Sequence, residues 1–192
     1  MKLLRIDAEN PEKGLVSYAA KAISDGKTII YPTDTVYGLG CSMNSVKAVR
    51  NVYALKKRDL NKPLSIAFPD LETAKRYVLL DAREEAFIKE CLGKPYTFIV
   101  RKRVNVPDNV TSGLDSVGIR IIDHPIVKGI IAAAGVPIIS TSANLSGKKP
   151  PAECGEIDKE LLENVDIVID SGRCLIGTPS KIVDLRTGKT LR

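Results

Sequence analysis

Short apolar strands alternate with amphipathic helices along the whole chain, and that alternation limits the fold more than any other feature. Leu3–Ile6 reads as a strand. Asn10-Pro11-Glu12 then opens a helix, with Asn10 as cap and proline at the first helical position. Leu15, Tyr18, Ala19, Ala22 and Ile23 form its apolar stripe, and Gly26 ends it. Thr28–Tyr31, Leu64–Phe68, Tyr96–Arg101, Val117–Ile121, Pro137–Ser140, Val165–Ile169 and Lys181–Leu185 read as further strands, with a short one expected at the C-terminus. Between them, helices are expected over Ser45–Leu55, Glu72–Tyr77 capped by Asp70, Asp81 to about Cys91 through an Asp81/Glu84 capping box, and Asp123–Ala134. This order predicts an α/β fold: a twisted mixed sheet with helices packed on it.

The 192 residues suit one domain spanning 1–192, large enough to bury its core without disulfide or metal. Trp is absent, so Ile, Val and Leu must fill that core. The four cysteines form no CxxC pair, and one histidine cannot complete a zinc site of ordinary spacing. The first residues lack the apolar run of a signal peptide and no segment reaches membrane-span length, so a cytoplasmic location is expected. A net charge of +6 suits an anionic partner, and equally suits plain solubility.

The standard nucleotide fingerprints fail. Gly38-Leu39-Gly40 lacks the third glycine of GxGxxG, and Thr178-Pro179 stands where a P-loop needs Lys-Ser/Thr. His124, before Pro125, reads as structural. Four features remain. Lys56-Lys57-Arg58 with Lys62 gathers four cations within seven positions, either to cradle polyphosphate oxygens or as a solvated loop. Ser140-Thr141-Ser142-Ala143-Asn144 follows an apolar strand, where ligands of open sheets bind; a polar turn with capping serines reads the same. Pro32–Gly40 also follows a strand, its glycines permitting close approach of a ligand. Arg120 stands between Ile119 and Ile121 and needs an anion, either a substrate carboxylate or Asp123.

Together these stretches resemble the YrdC family, and within it the threonylcarbamoyl-AMP synthases. Lys56-Lys57-Arg58 matches the family's lysine-x-arginine motif and Ser142-Ala143-Asn144 its serine-x-asparagine motif. Tyr31–Leu39, Val117–Pro125 and Pro179–Asp184 match three further elements, in the family's order. The resemblance implies an open α/β fold around a basic groove holding ATP and L-threonine. It implies that Lys56, Arg58, Lys62, Ser142 and Asn144 meet the nucleotide, with Lys56 and Arg58 the catalytic pair and Ser116 and Ser180 secondary. Thr35, Arg120 and Ser140 are implied to meet threonine.

The implied reaction joins threonine, bicarbonate or CO2, and ATP into threonylcarbamoyl-adenylate and pyrophosphate for a tRNA modification. Mg²⁺ is expected to arrive with ATP, with no protein-held metal, and a downstream transferase complex and possible tRNA contact follow from the same resemblance. The sequence departs from the family at Ala67, often His, at Gly93-Lys94-Pro95, at Ile122 and at Lys181. Three other readings compete: a non-catalytic tRNA or double-stranded RNA binder, a carbamoyl-transfer enzyme, and a paralogue that has lost threonine activity.

Overall fold

The structure, a computed structural model, describes residues 1–191. One mixed sheet runs through the molecule. Its strands lie in the order β1 (Lys2–Arg5), β9 (Ile167–Asp170), β2 (Ile29–Tyr31), β3 (Gly38–Gly40), β8 (Ile138–Ser142), β4 (Ser65–Phe68), β7 (Ser116–Ile121), β6 (Tyr96–Lys102), β10 (Lys181–Asp184), β11 (Lys189–Thr190). β5 (Val78–Leu79) pairs with β6 off this path. β8 is the joint. It pairs antiparallel with β3 through Ser142 and Thr141, and with β4 through Ser140, Ile139 and Ile138.

Two buried clusters lie on the two faces, and the period-two alternation of the strands assigns residues to them. In β2, Ile29 and Tyr31 join the cluster formed with helices α1 (Lys13–Ser24) and α6 (Pro125–Ala134), while Ile30 joins the other. That other cluster takes in α2 (Val46–Leu55), α3 (Leu71–Ala74), α4 (Ala82–Glu90), α5 (Asp108–Thr111) and α7 (Lys159–Asn164). Ile66 and Phe68 of β4 and Ile119 of β7 face this crowded side.

Local signals set several boundaries as expected. Ser45 accepts the amide of Ala48 to cap α2, Asp70 accepts that of Thr73 to cap α3, and the Asp81/Glu84 capping box opens α4. Other boundaries differ. α1 begins at Lys13 with Glu12 at its cap position, so Asn10 and Pro11 lie in the preceding turn. α6 begins at Pro125 after His124, and Asp123 stays outside it, pairing with Lys128. β8 continues through Ser142 instead of ending at Ser140.

The strand that lets it continue, β3, falls inside the stretch expected to be a ligand loop. Its glycines lie close against neighbouring protein, and Gly38 also lines a polar cavity. A Cβ on Gly38 would sit 2.8 Å from the Tyr31 ring, and one on Gly40 would sit 2.2 Å from the carbonyl oxygen of Ile139. No local pattern reveals a strand made possible by a tyrosine lying across it.

Candidate active site

α1 and α6 cover only part of their face of the sheet. Where they stop, the strands present small or polar side chains on that same face: Ser140 and Ser142 from β8, Ser65 from β4, Arg120 from β7, and Thr97 from β6. Each alternates with a residue buried on the opposite side, Ile139, Ile66, Ile119 or Phe98. These groups, with Arg58, Pro179, Ser180 and Ile182, enclose a polar cavity. Gly118 is required beneath it, because a Cβ there would lie 2.4 Å from the Ser65 hydroxyl.

Arg58 reaches the cavity through a helix ending. The Arg58 amide donates to Tyr53 O at 2.9 Å and the Lys57 amide to Ala54 O at 3.0 Å, the pattern of a Schellman motif. Lys57 occupies the left-handed position that usually holds glycine, at φ 48°. The turn sends neighbouring side chains in different directions. Lys57 pairs with Glu160 at the surface, and Lys56 is buried. Arg58 Nε donates to Lys62 O at 3.1 Å and its Nη2 to Pro63 O at 2.9 Å, which folds the guanidinium against its own loop.

Lys56 is 2% exposed. Its ammonium donates to Ser142 O, to Asn144 O at 2.7 Å and to Asn144 Oδ1 at 3.4 Å. Burial, with the Arg58 guanidinium nearby, pulls its pKa down to about 7. Ser142 Oγ also donates to Asn144 Oδ1, while Asn144 Nδ2 donates to Leu145 O at 2.9 Å and Lys148 O at 2.6 Å.

At the other end of the cavity, Arg120 Nη2 donates to Asp34 Oδ1 at 2.7 Å and to Thr35 Oγ1 at 2.6 Å. Asp34, not Asp123, is therefore its protein counter-ion. Thr35 Oγ1 is 3.0 Å from Thr33 Oγ1, which also accepts the amides of Thr35 and Val36 and donates to Val36 O. Carbonyls of Asp34 and Thr35 accept amides of Ile176 and Gly177, so the late loop before β10 is fastened to this turn.

Of the residues singled out from sequence, Arg58, Arg120, Ser140, Ser142 and Ser180 line the cavity. Lys56, Asn144 and Thr35 are buried behind its wall, bonded to groups that face it. Lys62 is exposed and contributes its carbonyl to Arg58. Ser116 is buried at the start of β7 and is not among the lining residues. Thr33 lies in the Pro32–Gly40 stretch singled out from sequence, whereas sequence reasoning missed Ser65 and Thr97. For Ser65 and Thr97 a signal existed, since each is a small polar residue alternating with core positions.

Among the described residues lining the cavity, none is a nucleophile or general base prepared by its surroundings; Lys56, whose pKa is lowered to about 7, lies behind the wall. Burial pushes the Cys41 and Cys154 thiols up to about 12 and raises Cys174 as well, so thiolate is disfavoured. Burial lowers the His124 pKa, and the residue does not line the cavity. Tyr31 is held neutral, its pKa raised to about 12 by burial. What remains is two guanidinium groups and a ring of hydroxyls, a set suited to holding anions.

A family model for Sua5, YciO and YrdC proteins, described as telomere recombination, matches residues 21–192. The chain belongs to this family. A Methanocaldococcus jannaschii relative is 39% identical over 192 residues, covering 99% of this chain and 90% of its own. A threonylcarbamoyl-AMP synthase of Xanthomonas euvesicatoria is 33% identical, covering 91% of this chain and 95% of its own. Among solved structures, E. coli YciO superposes with a TM-score of 0.91 at 27% identity over 100% of this chain and 95% of its own. P. abyssi Sua5, solved in complex with L-threonine, gives a TM-score of 0.91 at 30% identity over 97% of this chain. The chain spans 55% of that longer protein's length. Among the described residues, no helix is long and apolar enough to cross a membrane.

Proposed function

We propose that this protein is a threonylcarbamoyl-AMP synthase, using L-threonine, bicarbonate or CO2, and ATP to form threonylcarbamoyl-adenylate and pyrophosphate. The observation that carries this reading is convergence. Arg58, Arg120, Ser140, Ser142 and Ser180 come from well-separated stretches of chain and meet in one polar cavity. Relatives bearing the synthase name, and a relative of like fold solved with L-threonine, support it.

The chemistry asks for what the cavity offers. Threonine's amine adds to CO2 as an N-carboxylate, whose oxygen attacks the α-phosphorus of ATP while pyrophosphate leaves. An anion attacks an anion, so the barrier falls chiefly through positioning and charge neutralisation. Arg58 and the Ser142 end are assigned to the triphosphate, with Ser180 beside them. The part of the Arg120 fork not engaged by Asp34 and Thr35 is assigned to the threonine carboxylate, near Ser140. Asn144, Lys56 and Thr35 support these groups from behind.

Mg²⁺ is assigned to the triphosphate it accompanies, the usual way this ion enters a nucleotide site. Where bound, it would neutralise phosphate charge. The product is a reactive mixed anhydride, so a transferase that moves the threonylcarbamoyl group to tRNA belongs downstream. The net charge of +6 leaves direct tRNA contact open to test by filter binding. A cytoplasmic location fits these substrates. The deciding experiment is pyrophosphate release that depends on threonine and bicarbonate, with the adenylate identified by mass. ATP-dependent release without threonine, or none at all, would refute the assignment.

A further inference from the structure

A lysine in a lysine-x-arginine motif invites assignment to phosphate, yet the Lys56 ammonium has no proton left for one. An ammonium carries three donors, and Ser142 O, Asn144 O and Asn144 Oδ1 take all three. The side chain is 2% exposed and is absent from the cavity wall, although its neighbour Arg58 is part of it. Among the described residues no carboxylate stands within ion-pair distance of it.

The bonds around it form a hub. The Ser146 amide donates to Lys56 O at 2.8 Å, so the lysine grips the 142–148 segment through both backbone and side chain. Asn144 is equally committed. Its Oδ1 accepts from Lys56 and Ser142, and its Nδ2 donates to Leu145 O and Lys148 O. Ser142 alone of this group faces the cavity.

We propose that Lys56 is a positioning residue: it fixes the 142–148 loop, through the carbonyls of Ser142 and Asn144 and the Asn144 side chain, so that Ser142 meets the nucleotide, and it touches no phosphate itself. This rests on the reading that ATP occupies the cavity. The two roles differ in reach. A phosphate ligand acts independently of Ser142, whereas a positioning residue acts through it.

The test is a double-mutant cycle of Lys56→Met and Ser142→Ala, reading kcat and the KM for ATP separately. Lys56→Met and Ser142→Ala are each expected to lower kcat/KM about 10-fold, with the double variant within about twofold of either. A double variant reduced by the product of the two would overturn the proposal. Lys56→Arg separates the roles again. A planar fork cannot match three acceptors in a socket built for an ammonium, so no rescue is expected, whereas recovery to near wild-type KM would favour direct phosphate contact.

Should Lys56→Met fail to fold, wild-type protein labelled with ¹⁵N-lysine supplies the answer by NMR. The Lys56 ammonium signal is expected to stay protected and unshifted on adding Mg-ATP, and a shift with coupling to phosphorus would overturn the assignment. If wild-type protein binds no ATP, the functional reading fails on its own. Hydrogen exchange at the Ser146 amide and Asn144 carboxamide then decides the positioning claim. Exchange at least ~10-fold faster in Lys56→Met supports it, and unchanged exchange rejects it.

Discussion

Two buried cations flank the cavity, and they are held in opposite ways. Lys56 is surrounded by neutral oxygens of Ser142 and Asn144, with Arg58 next to it and no carboxylate in bonding range among the described residues. Arg120 is locked to the Asp34 carboxylate and the Thr35 hydroxyl. Carbonyl dipoles orient a charge without cancelling it, while an ion pair largely does cancel it. The Lys56–Arg58 end has no protein carboxylate to cancel its charge, carried by Arg58 and by the protonated fraction of Lys56, and this suits a triphosphate. The Arg120 end is nearly neutral and offers a fixed fork, suited to recognising one carboxylate by geometry.

Four measurements would break or sharpen that contrast. The largest effect is expected at the positive end. Arg58→Ala should lower turnover at least ~100-fold, roughly 2.7 kcal/mol at the barrier, with ATP concentration unable to restore it. Activity within a few-fold of wild type would remove Arg58 from the chemistry. At the neutral end, Arg120→Lys should raise the threonine KM about 10-fold, roughly 1.4 kcal/mol, because a point charge replaces the fork. The KM for ATP should hardly move. Equal changes in both would erase the division between the two ends.

The third measurement is stability against pH, by urea unfolding. The folded pKa of Lys56, about 7, lies below its ordinary value of 10.5, so the folded state releases the proton first. Below pH 7 the lysine is protonated in both states and burial costs its full amount. Between about 7 and 10.5 the unfolded chain binds more protons, so stability should rise with pH by at most ~1.4 kcal/mol per unit. Lys56→Met should lack this rise. A wild-type curve parallel to that of the variant would mean the buried cation is no burden.

The smallest effect concerns the turn between the two lysines. Lys57→Val should destabilise by ~1–2 kcal/mol because a β-branched residue resists the left-handed conformation, while Lys57→Gly should stay within ~0.5 kcal/mol of wild type. Both lose the surface pair with Glu160, so their difference isolates backbone strain. Identical melting of the two would show that φ at position 57 is not constrained as described.

Much of this was legible in the sequence because it is local. The capping box at Asp81 and Glu84, the cap at Ser45, and the positions of the motif stretches at strand ends depend on neighbours within a turn or two. Other features were not legible. The α1 boundary was misread because Asn10 and Pro11 make an attractive start signal, whereas the chain enters the helix at Lys13. β5, α5 and α7 are too short for periodicity to mark them. The strand at Gly38–Gly40 was hidden by its glycines, whose use lies in the Tyr31 ring above them.

The sequence by itself determined the alternation of strands and helices, the apolar faces and the small polar residues placed among core positions. These follow from periodicity and side-chain size, which every stretch of chain carries with it. Only the tertiary structure decided the fate of the charges. Lys56 meets Ser142 across 86 residues, and Arg120 meets Asp34 across 86 residues in the other direction. A cation's partner is whatever oxygen the fold brings within 3 Å, and no local pattern states whether that oxygen belongs to a carbonyl, a carboxylate or a substrate.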